Sequence, residues 1–424
     1  LPLLLLAIAA VQLVRRRDLS PGALALGFLA ALLCLILPIL LGLGLLVLIG
    51  TLGDAPQPWY AYPLPTRLAL WVGAFLCGGL LAAGLGRRVG LWGLGLGAWL
   101  LWAVLALILS LALTGAAIIL LVPTFVAALL VALVVLGGRA GHPLARESAF
   151  VLAAAVAGMI CLPLALVFEV ATGFAMSPGI TLFLGLAVAT LLPLLALPPH
   201  RTPLRRGLIL AAAALLAVAV VAALLVPPYS DSHPQPVNVY HVTGGDTGRA
   251  RWVSVPYDDA TPLPLRDLFE AEAVPVFPWS GARYLVAEAE PTGAPAPTLD
   301  VLADELTGSE RLMTLRLRSP RGAGALELWL PRTRLQSLSV AGHSLSVEPG
   351  DLPGELYHLL CYGRSCDGLE VRLQLSGADP VAALVADDSL GLPAGGARLL
   401  QARPSTATSY QEGDLTVLWQ RIEF

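Results

Sequence analysis

The sequence predicts a polytopic α-helical membrane domain of about eight transmembrane helices, the first cut short, followed by an all-β, sandwich-like domain. Three observations carry this expectation. Of 424 residues, 57% are hydrophobic and only 13% charged, against roughly 25% charged in an average soluble domain. The charge is divided between unlike halves: residues 1–226 hold 11 Arg against 4 acids, and residues 227–424 hold 15 Arg against 25 acids. The first half is apolar over runs of about 20 residues, whereas the second alternates apolar and polar residue by residue.

The chain opens LPLLLLAIAAVQLVRRR. Its positive charges follow the apolar run instead of preceding it, which is not the order of a signal peptide. Fourteen residues of helix reach about 21 Å of a roughly 30 Å hydrocarbon core. A helix cut short, with polypeptide missing upstream, is the simplest expectation. An interfacial helix fits poorly because the run has no polar face.

Runs long enough to span follow at 23–52, 68–86, 89–112, 116–136, 148–170, 178–197 and 207–226. In lipid every backbone amide needs an internal partner, so such runs are helices. Arg15–Arg17, Arg87–Arg88, Arg139 with Arg146, and Arg201 with Arg205–Arg206 occupy every second connection; only Arg67 touches an edge of the others. The positive-inside rule puts the Arg-bearing loops in the cytoplasm and both chain ends outside. Trp59, Tyr60, Tyr62 and Trp71 gather at the first outer loop, as interfacial aromatics do. The wealth of Ala, Leu, Gly and Pro, with no lysine at all, points to a GC-rich bacterial genome and hence to a bacterial inner membrane.

Nothing in these helices reads as a permeation path. Glu169 is the one acid inside a span, near the outer end of its helix, where an interfacial role is favoured over an ion site. Pro38, Pro123, Pro163 and Pro193 read as packing kinks, and Gly93-x-x-x-Gly97 permits close helix contact.

The domains are expected at 1–226 (membrane), 227–236 (a Pro-rich linker) and 237–424 (exported β domain). VNVYHVTGGDTGRARWVSV (237–255) reads as the first hairpin, two extended arms around Gly244–Gly248. In MTLRLR, Met313, Leu315 and Leu317 face one way; in LEVRLQL, Leu369, Val371, Leu373 and Leu375 do. SLSVAGHSLSV reads as a further hairpin around Gly342-His343.

Cys34, Cys77 and Cys161 lie in lipid as small apolar side chains. Cys361 and Cys366, in CYGRSC, lie in the exported half, and a disulfide closing this loop is favoured over a metal site because no third and fourth ligand is offered. The six His (142, 200, 233, 241, 343 and 358) show no HExxH or paired spacing. Asp258-Asp259 and Asp387-Asp388 read as exposed turn acids. Ser230-Asp-Ser-His233 holds triad residue types in a linker that would not fix their geometry. No catalytic, cofactor-binding or metal-ligating residue is identified, and the absence of a basic patch argues against nucleic acid as a partner.

One resemblance runs along the chain. Several helices, a TGAAIILLVPTFVAALL segment (114–130), and an exported domain carry VNVYHVTGGDTGRARWVSV, LRLRSPRGAGALELWL (315–330) and CYGRSCDGLEVRLQL (361–375), closing in ARPSTATSYQEGDLTVLWQRIEF (402–424). This resembles the C-terminal portion of bacterial membrane-bound M28-family peptidases, relatives of the endoplasmic reticulum metallopeptidase type. The resemblance implies a membrane anchor and accessory β domain whose partners are the lipid bilayer and an upstream zinc peptidase domain of the same polypeptide. It implies no zinc ligand in this chain: the family's ligands have no matching positions, and the hydrolysis of peptides by zinc-bound water would belong to the upstream domain. The competing expectation is a non-enzymatic membrane protein, such as a transporter subunit or an exported-ligand sensor.

Overall fold

The computed structural model describes residues 1–53, 57–113, 115–196, 202–245, 248–258, 260–347 and 355–424, with only the backbone of Thr202. Asp54, His200, Arg201, Asp259 and the centre of the Gly244–Gly248 turn lie outside the described residues. The chain divides into two units, Leu1–Pro228 and Tyr229–Phe424.

The first unit is helical: α1 (Pro2–Arg15), α2 (Pro21–Leu52), α3 (Pro63–Ala112), α4 (Ile118–Leu136), α5 (Pro143–Thr172), α6 (Ser177–Leu195) and α7 (Thr202–Leu225). Six of these, α2 to α7, are long and apolar enough to cross a membrane. Proline sits in the first turn of α1, α2, α3, α5 and α6, where its missing N–H is not needed. The interior prolines Pro38, Pro123, Pro163 and Pro193 are each carried within one helix.

The 50 residues of α3, if straight, would run about 75 Å, more than twice the hydrocarbon thickness. They are not straight. Gly90 leaves helical geometry with φ 70° and ψ 173°, a left-handed φ that glycine adopts without a Cβ penalty.

The packing register gives the direction on each side of Gly90. A Cβ on Gly42 would meet Thr181 and one on Gly185 would meet Cys34, so α2 and α6 run antiparallel. A Cβ on Gly78 would meet Val188 and one on Gly86 would meet Ala196, so the first half of α3 runs with α6. A Cβ on Gly93 would meet Ala23 and one on Gly97 would meet Gly27, so the second half runs with α2. The two halves are therefore antiparallel, and the gap between the apolar runs 68–86 and 89–112 is a reversal of the chain.

Two polar contacts agree with this alternation. Arg16 Nη1 donates to the carbonyl of Val135, 3.2 Å away, a cation on the C-terminal carbonyls of α4; α1 and α4 thus end on one side. Arg67, in the second turn of α3, binds Glu169, in the last turn of α5.

The second unit contains β1 (Gln235–Gly244), β2 (Arg249–Pro256), β3 (Val274–Pro275), β4 (Arg283–Ala289), β5 (Thr298–Thr307), β6 (Glu310–Arg318) and β7 (Ala325–Pro331). It continues with β8 (Leu335–Val340), β9 (His343–Leu345), β10 (Leu356–Tyr362), β11 (Leu369–Ser376), β12 (Ala382–Leu390), a short helix α8 (Ala397–Ala402), β13 (Ala407–Thr408) and β14 (Leu415–Glu423). The first strand takes the last two residues of the expected 227–236 linker.

A large sheet runs β10-β7-β12-β14-β1-β2-β4-β3, with β13 also beside β1, and a smaller one runs β5-β6-β11-β8-β9. Residues 237–255 form the expected antiparallel hairpin, β1 with β2. Its first arm also pairs in parallel with β14, the last strand of the chain. The sheets face one another through Met313, Leu315 and Leu317 of β6 and Val371, Leu373 and Leu375 of β11, packed on Leu326, Leu328 and Leu330 of β7. These are the inward positions that the alternation predicts. Such a sandwich leaves the far face of the large sheet free to be built upon.

Candidate functional site

Successive side chains of a strand point to opposite faces. With Leu326, Leu328 and Leu330 turned toward the small sheet, Ala325, Glu327 and Trp329 turn away from it. Cross-strand register carries that outer face across the sheet. Trp329 lies opposite His358 and Leu384, Glu327 opposite Leu360 and Ala386, and Ala325 opposite Tyr362 and Asp388. Asp388 in turn lies opposite Val417, and Leu415 opposite Tyr240. Phe277, Trp279, Tyr284, Tyr410 and Glu412 join this face in lining a cleft of about 690 Å³.

The aromatic wall is held by stacking. Trp329 lies between Trp279, 4.0 Å between centroids and 14° from parallel, and His358, 4.6 Å and 1°. Tyr284 meets Phe277 edge-on at 5.5 Å. These are offset-stacked and T-shaped arrangements, each contributing about 0.5–1.5 kcal/mol beyond area burial. A second hollow shares Trp279, Glu327 and His358 with the cleft.

Acids dominate the cleft: Glu327, Asp388 and Glu412 line it, with no arginine among the described residues and no lysine in the chain. His358 Nε2 is 2.6 Å from Glu327 Oε2. The nearby Arg321 is committed elsewhere: Nε donates to Asp387 Oδ1 at 2.9 Å, and Nη2 donates to the carbonyls of Asp387 and Thr416 at 2.8 Å each. Ser319 Oγ completes the grip on Asp387, donating to Oδ2 at 2.5 Å.

The acid pair read as exposed turn residues is neither exposed nor in a turn. Asp387 and Asp388 are interior residues of β12; Asp387 is 0% exposed and faces its structural partners, while Asp388 faces the cleft. The carboxyl of Asp388 is pushed up from its ordinary 3.8 to about 9. Burial is the largest cause, followed by the charge of Glu327, a hydrogen bond with Glu327 and the charge of Asp387; Arg321 opposes them. One of its oxygens, Oδ1, is buried without a hydrogen-bond partner. Leaving such an atom unmatched costs about 1–3 kcal/mol. The negative charge is felt around the cleft: the phenols of Tyr240, Tyr362 and Tyr410 are all raised, by burial first and then by Glu412 among other groups.

No protein-family model matches the chain, and no curated protein matches it.

The other residues singled out in the sequence lie apart from the cleft or at its margin. Cys361, at the end of β10, is bonded to Cys366 with 5.8 Å between Cα atoms; its neighbour Tyr362 lines the cleft. Asp258 is 7% exposed, another departure from the exposed-turn reading, and its Oδ1 accepts from Gln235 Nε2 at 3.1 Å. His241 is 0% exposed, 3.0 Å from the carbonyl of Glu290 through Nε2, and burial lowers its pKa. In the 230–233 turn, Ser232 Oγ lies 3.1 Å from His233 Nδ1 while Asp231 accepts from Ser405, so Asp231 is not oriented as a triad acid. Among the described residues no three His, Cys, Asp or Glu converge as metal ligands.

The sequence did carry a signal for the cleft. ELWL puts Glu327 and Trp329 on the same side of a strand, opposite its leucines. A tryptophan alternating onto a nominally solvated face marks a face that is covered or used.

Proposed function

We propose that this protein is a membrane-anchored binding module that serves a peptidase. Its helices cross the bacterial inner membrane eight times, α3 twice, with both ends outside. Its β domain works in the exported compartment, beside an M28-like zinc peptidase domain carried upstream in the same polypeptide. The observation that supports a working β domain over a passive appendage is the cleft, where aromatic rings and the half-buried carboxyls of Glu327 and Asp388 stand around about 690 Å³ of space, within the 300–1,000 Å³ usual for small-ligand sites.

Supporting the orientation is the arginine distribution, together with its one exception. Arg67, alone on the outer side, is bound by Glu169 and carries little free charge for the positive-inside rule to act on.

The test is to express the polypeptide with its native upstream coding region. Hydrolysis of an aminoacyl reporter that a chelator abolishes, and that residues 1–424 alone do not perform, is the expected result. A start codon and short leader directly before Leu1 would overturn the peptidase reading. The cleft would then favour the second reading, an exported-ligand sensor. Single engineered cysteines in the 137–146 loop and the 376–380 turn report the sidedness: only the turn should label from outside.

A further inference from the structure

We propose that the β-domain cleft binds an organic cation, a primary ammonium on an apolar body, with the ammonium between Asp388 and Glu327 and the body against Trp279 and Phe277. This rests on the cleft being the working site, but not on the presence of a peptidase domain.

Three independent features converge on that ligand class. The first is sign: three carboxyls and, among the described residues, no arginine line the cleft, while Arg321, close to Asp388, is engaged by Asp387 and two carbonyls and the His358 ring of the lining is held 2.6 Å from Glu327. An anion finds no free counter-charge there. The second is an unmet acceptor. Asp388 Oδ1 is buried without a partner, and an ammonium offers three N–H donors to such oxygens. The third is the wall. The faces of Trp279, Phe277 and the surrounding tyrosines carry the negative quadrupole that attracts cations within about 6 Å. The volume of about 690 Å³ exceeds a bare ammonium many times over, so the ligand brings an apolar body to fill it.

Binding also has a proton consequence. Asp388 holds a proton against Glu327, with Asp387, Glu412, Tyr240, Tyr362, Arg321 and His358 as its other charged or titratable neighbours. An ammonium arriving between the two carboxyls replaces that proton, which leaves to solvent. An alkylammonium resembles the Lys side chain and stays charged to about pH 10, so affinity rises with pH between 6 and 8.

The test is isothermal titration of the full chain in lipid nanodiscs with phenethylamine, N-acetylphenethylamine and cellobiose. Two buffers of different ionisation enthalpy resolve proton release. The expected result is saturable 1:1 binding of phenethylamine with proton release, no binding of the other two probes, and at least tenfold weaker binding in Asp388→Asn and in Glu327→Gln. Trp279→Ala, which leaves both carboxyls intact, should weaken binding as well. Thermal melts of each variant show whether the β domain is folded. Equal binding of the acetylated probe, or binding of cellobiose alone, keeps the cleft as a ligand site and overturns the ammonium. Saturable binding of none of the three overturns both.

Discussion

Arg67 and Glu169 meet across 102 residues of chain: Nε donates to both carboxylate oxygens at 2.9 Å, and Nη2 donates to Oε1 at 2.5 Å. Glu169 is 6% exposed. Arg67 is 34% exposed, so removing one partner costs less than the about 3–5 kcal/mol of a fully buried pair, and removing both costs less again. Arg67→Ala and Glu169→Ala should each lower the unfolding midpoint of the detergent-solubilised chain, and the double variant should recover part of the loss. If the losses simply add, the two side chains act independently and the pair holds nothing together.

Gly97 should be as sensitive as a residue on an exposed helix face is tolerant. A Cβ there would collide with the backbone of Gly27 and Phe28, whereas one on Gly84 meets nothing. Small residues let membrane helices approach at backbone distance, and packing is the chief force between helices in lipid. Gly97→Leu should therefore reduce the yield of folded protein severalfold by size-exclusion profile, and Gly84→Leu should not. Equal yields would mean that α2 and the second half of α3 do not need their close contact.

The helices and the inward faces of β6 and β11 were legible because one physical demand, burial, repeats along the sequence with a fixed period. The cleft was not. Its carboxyls come from strands 61 positions apart in sequence, Glu327 and Asp388, brought together only by the β7-to-β12 pairing. Local reading makes Asp387-Asp388 a polar doublet, since nothing nearby in the chain announces Arg321 or Ser319 as partners. Likewise the register of β1 on β14 joins the two ends of the β domain, a long-range choice that no local pattern encodes. The reversal near Gly90 was legible, because Arg87–Arg88 interrupt the apolar pattern between 68–86 and 89–112, and the glycine contacts of the two halves agree with it.

The Cys361–Cys366 bond closes a loop with a sequence separation of only 5. The chain-entropy relation gives such a short loop about 2 kcal/mol. The replacement of both cysteines by serine should lower the stability of the β domain by about that amount in denaturant unfolding, and dithiothreitol should do the same to the native chain. Because Tyr362 adjoins Cys361 and lines the cleft, the double variant should also loosen that rim, seen as faster amide exchange at 360–364. Unchanged stability and exchange would make the bond incidental.

Asp388 sets a pH dependence whose sign follows from its environment. An unfolded carboxyl titrates near 3.8, and in the fold this one is raised to about 9. Between those values the folded chain holds a proton that the unfolded chain does not, so this contribution is full below the lower value and is lost as pH rises through the upper one. Tryptophan-monitored melts of the full chain should show the β-domain midpoint falling from pH 5 to pH 9, and falling less in Asp388→Asn. The variant isolates the residue, because Glu327, Glu412, His358 and Arg321 stay in place in both proteins. The amide also keeps a donor toward Glu327 while discarding the cost of ionising a buried acid, so at pH 9 the variant should be the more stable of the two. Parallel pH profiles for the two proteins would mean that Asp388 does not change its protonation on folding in this range.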